Sequence, residues 1–294
     1  MSILRSAALS FIGLASLIGC SGLFHRGEPI STPAAASIHL EPTAGTLRSA
    51  TGCRLDFRLY KPNEHPAHDS PVVSSTLEPR KPGRKPALVI LGHGFLRSQE
   101  RMSGLAKALA TQGIPVATLD FCNMRPWDGR HQQNGLDMIA LAEHLKVRVG
   151  AGQIVYSGFS AGGLAALVAA RNDPNAIGAV TLDLVDAQGI GLRAVRELDK
   201  PLLGLAGEPT NCNAGNNARA VFAASDDARV QPIPGAGHCD FEAPTDALCE
   251  LLCEDPDQAQ PTRTAALREQ IIATATDAIE SMIEDEPSRP ETAG

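Results

Sequence analysis

From Ala87 to Gly237 the chain alternates short apolar runs with stretches whose apolar residues recur at helical spacing. ALVILGHG, IPVATLDF, QIVYSGF, AIGAVTLDLVD, PLLGLAGEP and ARVQPIPGAG are the runs. Between them lie SQERMSGLAKALATQG, LDMIALAEHLKV, AGGLAALVAARND and AGNNARAVFAAS, which read as helices. Strands that alternate with helices pair through crossovers, so the expected fold class is α/β, with a mostly parallel central sheet. The runs are read as apolar throughout, as a sheet covered by helices on both faces requires. Ligands of such sheets sit at the carboxyl ends of the strands. The glycine-rich stretches GHGF, SGFSAGG, GEPTN and GAGHCD fall there, as does LDLVD.

One of these ends carries a nucleophile pattern. Gly158-Phe159-Ser160-Ala161-Gly162 fits G-x-S-x-G and stands between a predicted strand and a predicted helix. A turn that sharp needs small flanking residues. Gly158 and Gly162 clear the space, and Gly163 lets the helix pack closely on the sheet. A plain turn needs no serine, whereas Ser160 in this context is held out for attack. A serine nucleophile needs a base. Of the eight histidines, His25, His39, His65 and His68 precede the regular pattern, and His131 and His144 fall in a helical region. His93 lies in the first glycine-rich end, and His238 follows the last strand. Serine, acid, histidine is the chain order of α/β-hydrolases, which selects His238. The base in turn needs a carboxylate to hold its tautomer, and three are available: Asp183, Asp186 and Glu208. Backbone N–H groups must receive the oxyanion. Ala161, which follows the nucleophile, supplies one, and Phe95, in the loop after ALVIL, supplies the other. His93 is expected to shape that loop without a charge. Only a short excursion fits between Asp186 and Pro201, so no large lid is expected.

The segments HGFLRS, ALATQGIPVATLDFCN, GFSAGG, LDLVDAQG, LAGEPTNCNAGNNA and GHCDFE resemble the chlorophyllase-like branch of the α/β-hydrolases. The wider similarity extends to bacterial polyester hydrolases and platelet-activating-factor acetylhydrolases, and it covers roughly Ser49 to Glu254. In chlorophyllases the triad acid follows the strand after the elbow, so the resemblance implies Asp183. Phe159 and Ala161 stand where that branch commonly has His and Arg, so chlorophyll is not implied as substrate. The expectation is a serine esterase working through Ser160, His238 and Asp183 on a small-molecule or lipid-like ester. No metal or organic cofactor is expected. The alternatives are other acyl chemistry on the same triad (lipase, thioesterase, peptidase or acyltransferase), or an inactive envelope binding protein with the hydrolase fold.

Composition narrows the partners. Aromatics are 4% of the chain and the net charge is −7, which argues against a nucleic-acid partner. The first 20 residues, MSILRSAALSFIGLASLIGC, read as a secretory signal, with Arg5 before a short apolar stretch. Leu17-Ile18-Gly19-Cys20 resembles the bacterial lipobox, which implies cleavage before Cys20, acylation of that cysteine and a lipid anchor. Ser21 follows, which by the same resemblance favours the outer over the inner membrane of a bacterial envelope, facing the periplasm or outside. Residues 21–46 read as a flexible tether, 47–283 as the hydrolase domain and 284–294 as a disordered acidic tail. An exported chain can form disulfides. Cys53, Cys122, Cys212, Cys239, Cys249 and Cys253 leave fifteen pairings open. Cys249 and Cys253, four apart on a predicted helix, are expected to pair elsewhere or to pack as small hydrophobes rather than to bond to each other. The irregular cysteine spacings make a zinc site a poor reading.

Overall fold

A computed structural model describes residues 40–62, 86–122, 129–253 and 261–285. The signal, Cys20, most of the tether and the tail after Asp285 lie outside these residues. Among the described residues eight strands form one sheet, in the order β1-β2-β4-β3-β5-β6-β7-β8. They are β1 (Thr43–Arg48), β2 (Arg54–Tyr60), β3 (Ala87–Gly92), β4 (Val116–Leu119), β5 (Gln153–Phe159), β6 (Ala176–Leu182), β7 (Leu202–Ala206) and β8 (Ala228–Pro232). β1 and β2 pair antiparallel, β2 joins β4 antiparallel, and the other neighbours run parallel. The first strand begins at Thr43, so it takes the last four residues of what reads as tether in the sequence.

The helices are α1 (Ser103–Thr111), α2 (His131–Lys146), α3 (Ala161–Asn172), α4 (Ile190–Arg196), α5 (Arg219–Phe222), α6 (Ala247–Cys253) and α7 (Pro261–Asp285). β3 is buried along its whole length, and its alternate residues serve two cores. Leu88 and Ile90 pack with Met138 and Leu141 of α2 and Leu164 and Leu167 of α3. Val89 and Leu91 pack with Leu105 and Leu109 of α1 and Ile271 and Ile279 of α7. A run buried on both faces cannot alternate in polarity, which is why ALVIL reads as continuous.

β8 departs from that pattern. It is the last strand of the sheet, and Arg229 to Pro232 are all exposed. An edge strand is paired on one side only, here by β7, and a proline and charge in it discourage further pairing. The expectation of a fully apolar run is therefore corrected for this strand. Between Asp186 and Pro201 the chain carries only the seven residues of α4. Among the described residues no helix is long and apolar enough to cross a membrane.

Three disulfides close the molecule: Cys53–Cys122, Cys212–Cys253 and Cys239–Cys249. Cys249 and Cys253 thus bond to different partners, both holding α6. The cysteine groups whose sulfurs approach within 4.8 Å of one another are accounted for by these bonds.

Candidate active site

The carboxyl ends of β5, β6 and β8 meet at one place. Ser160 follows β5 directly, with φ 55° and ψ −120°, a conformation L residues rarely adopt. Its N–H donates to Leu182 O at 2.8 Å, tying the turn to the end of β6. The elbow depends on absent side chains. A Cβ on Gly158 would collide with Gly162 O, and one on Gly162 with the carbonyls of Gly92 and His93. Those clashes show how closely the start of α3 approaches the loop after β3.

His238 opens a short 3-10 turn (His238–Phe241) beyond β8. Its Nε2 lies 3.2 Å from Ser160 Oγ, and its Nδ1 lies 2.5 Å from Asp183 Oδ2. A carboxylate accepts, so Nδ1 carries the proton and Nε2 is left to accept from the serine hydroxyl. Asp183 follows β6 with φ 44°, and its N–H donates to Leu205 O at 2.7 Å. Gly207 N–H donates to Asp183 Oδ1 at 3.0 Å. All three side chains are buried, Ser160 at 6%, His238 at 5% and Asp183 at 1% exposure. The Phe159 ring lies 4.6 Å from the His238 imidazole, centroid to centroid, and limits its tilt.

The other two acids are engaged elsewhere. Asp186 accepts from Gly191 and Leu192 N–H at 2.7 and 3.2 Å and so caps the start of α4. Glu208 is exposed and accepts from Gly235 N–H at 3.0 Å. Neither has a hydrogen bond to His238 among the described residues. Of the three acids, the structure brings only Asp183 to the imidazole.

The two amides named for the oxyanion lie in the expected segments. Ala161 is the first residue of α3, at the positive end of that helix. Phe95 sits in the loop after β3, where Gly94 packs against the Phe159 ring so closely that a Cβ there would lie 2.8 Å from it. Among the described residues neither N–H has a hydrogen-bond partner.

His93 braces this loop. Its Nδ1–H donates to Gly94 O at 2.8 Å, and its Nε2 accepts from Phe121 N–H at 3.2 Å. Both nitrogens are therefore used by a neutral ring, and burial pushes its pKa below the ordinary value. A second brace escapes sequence reading. Arg97 grips Glu242 through Nε–Oε2 at 2.9 Å and Nη2–Oε1 at 2.5 Å, and Asp246 at 2.8 Å. Arg101 adds a 2.6 Å contact to Asp246. This links the loop after β3 to the segment bearing His238. The partners are 145 residues apart, and nothing in their spacing announces the contact. The only signal was that both fall in motif segments, HGFLRS and GHCDFE.

Beside Phe95, whose ring centroid lies 6.2 Å from that of His131, an open cleft of about 390 Å³ runs between the start of α2 and Gln188 and Ile190 before and at α4.

Comparison with solved structures shows the fold. The chain is similar to an α/β serine hydrolase without lid from Xanthomonas campestris, at 15% identity and TM-score 0.51, covering 85% of this chain and 97% of that one. It is also similar to a cold-adapted esterase from an Arctic intertidal metagenomic library, at 16% identity and TM-score 0.53, over 78% of this chain and 93% of that one. A puromycin-hydrolyzing peptidase from Mycobacterium tuberculosis matches at 16% identity and TM-score 0.57, over 84% of this chain but 41% of its own length. No family model matches the chain, and no curated protein matches it. The fold is the α/β-hydrolase fold, with no large lid among the described residues.

Proposed function

We propose that this chain is a serine hydrolase that cleaves carboxylic esters through an acyl-enzyme. The observation that carries the proposal is the hydrogen-bonded line from Ser160 Oγ to His238 Nε2 and from His238 Nδ1 to Asp183 Oδ2. His238 accepts the Ser160 proton as Oγ attacks the ester carbonyl. The charge that develops on the carbonyl oxygen is received by the Phe95 and Ala161 N–H groups, aided by the N-terminus of α3. Asp183 stabilises the imidazolium, which then protonates the leaving alcohol. Water, activated by the same histidine, releases the acid and restores Ser160.

The substrate proposed is a small-molecule or lipid-like ester; the nearby open cleft is lined by His131, whose ring contacts that of Phe95, and by Gln188 and Ile190. The reading extends to an exported protein tethered through an acylated Cys20 to a bacterial envelope membrane, supported by the pattern of residues 1–20. A branch within the chlorophyllase-like enzymes is supported by the quoted sequence segments. A second reading is amide hydrolysis on the same triad, favoured by the likeness to the puromycin-hydrolyzing peptidase.

The test uses a soluble form lacking residues 1–20, assayed on p-nitrophenyl esters of graded chain length and on the matching anilides. Ester turnover should fall by several powers of ten in Ser160→Ala and by on the order of 10⁴ in Asp183→Asn. Faster turnover of anilides than esters would favour the second reading. No turnover of either, with no labelling by a serine-directed phosphonate, would sink the enzyme and leave an inactive binding protein.

A further inference from the structure

We propose that Asn213 is a positioning residue that sets how much of its charge Asp183 offers to His238; this rests on the triad reading above. Asn213 is fully buried, and its Nδ2 lies 3.2 Å from Asp183 Oδ2 and 3.4 Å from Oδ1. The same amide nitrogen donates to Glu208 O at 2.7 Å. Its Oδ1 accepts from Thr210 N–H at 2.7 Å and Asn216 N–H at 3.1 Å. Two backbone donors on the oxygen leave one assignment of the amide: the NH₂ must face the carboxylate. A flip would oppose oxygen to oxygen at Asp183 and Glu208, and donor to donor at Thr210 and Asn216.

Asp183 therefore accepts from three sources, His238 Nδ1–H, Gly207 N–H and Asn213. Donors to a carboxylate stabilise its charged form and draw density from the bond to the imidazole. At 1% exposure, solvent has little access to replace a lost donor. The loop that carries Asn213 is anchored one residue earlier, by Cys212 bonded to Cys253. Asn213 has no hydrogen bond to Ser160 or His238 among the described residues, so it acts through Asp183.

The roles of Asn213 are separated by comparing substitutions. Asn213→Leu keeps the volume but removes the donor to Asp183, without setting a second acid beside it. Asn213→Ala removes everything, and Thr210→Val disturbs the loop, through the 3.3 Å bond from Asn213 N–H to Thr210 Oγ1, without touching Asp183. The measurement is the His238 titration by NMR in the full chain, beside the pH profile of kcat/KM on a p-nitrophenyl ester. The His238 midpoint should rise by a few tenths of a pH unit in Asn213→Leu and Asn213→Ala and not in Thr210→Val, and the acidic limb of kcat/KM should follow it. Midpoints unchanged in both Asn213 variants, with only the melting temperature lowered, would overturn the proposal and leave Asn213 as a loop organiser. A wild type that turns over no ester, with the midpoint still rising in the variants, would sink the esterase reading and leave the positioning of the His–Asp pair intact.

Discussion

His93 shows how one buried side chain can make the loop after β3 sensitive to pH. Its ring is 1% exposed, and each nitrogen is matched to a backbone group in a way that only the neutral form satisfies. Burial lowers its pKa; the Asp120 carboxylate 3.8 Å away favours the charged form but does not outweigh it. The unfolded chain then binds a proton more readily than the folded one. Folding stability from this residue is full above the ordinary histidine value of 6.5 and is lost as pH falls below it toward the lowered folded value. Urea midpoints measured between pH 7 and pH 5 should fall for the wild type. The slope should be shallower in His93→Phe, which keeps the stacking on Phe121 but cannot titrate. Equal slopes would mean that other groups carry the acid sensitivity.

At the scale of elements, two loops from distant parts of the chain must hold station. The segment after β3 presents the Phe95 amide, and the segment after β8 presents His238. Arg97 and Glu242 bridge them with Glu242's side chain fully buried, and backbone bonds from Ala243 N–H to Arg101 O and from Gly104 N–H to Ala243 O continue the seam. A buried pair is costly to break, because one charge is left without its partner. Glu242→Ala should lower stability by roughly 3 kcal/mol, read by chemical denaturation. Asp246 would still hold Arg97, so a loss nearer 1 kcal/mol would show that Asp246 takes over. The same variant should lower kcat on esters more than it raises KM, since it frees the histidine segment and leaves the cleft near α2 intact.

Across the whole molecule, the three disulfides divide their work by position. Cys53–Cys122 spans 69 residues and ties β2 to the segment after β4. In the chain-entropy view a closure of that length stabilises by roughly 4 kcal/mol, and the ten-residue closure of Cys239–Cys249 by roughly 3 kcal/mol. Replacing Cys53 and Cys122 by serine should therefore lower the melting temperature more than replacing Cys239 and Cys249. Ester turnover should respond in the opposite order, because Cys239 follows His238 directly. Thermal melts and kcat of the two double variants check both halves, and the same ranking in both would contradict the division. Much of this plan is legible in residue order. An apolar run needs cover, a serine between glycines needs a reason, and a histidine after the last strand comes back to the serine, because parallel strands deliver all their carboxyl ends to one edge. Local chemistry of that kind identified the fold class and singled out Ser160 and His238, which the structure brings within hydrogen-bond distance. The choice among Asp183, Asp186 and Glu208 was a matter of tertiary structure, as were the disulfide partners, the exposed edge at β8, the Arg97–Glu242 bridge and Asn213. Each depends on which groups approach within about 3 Å after the chain has folded. Periodicity reports the face a residue occupies, and carries no record of a neighbour contributed by a distant strand end.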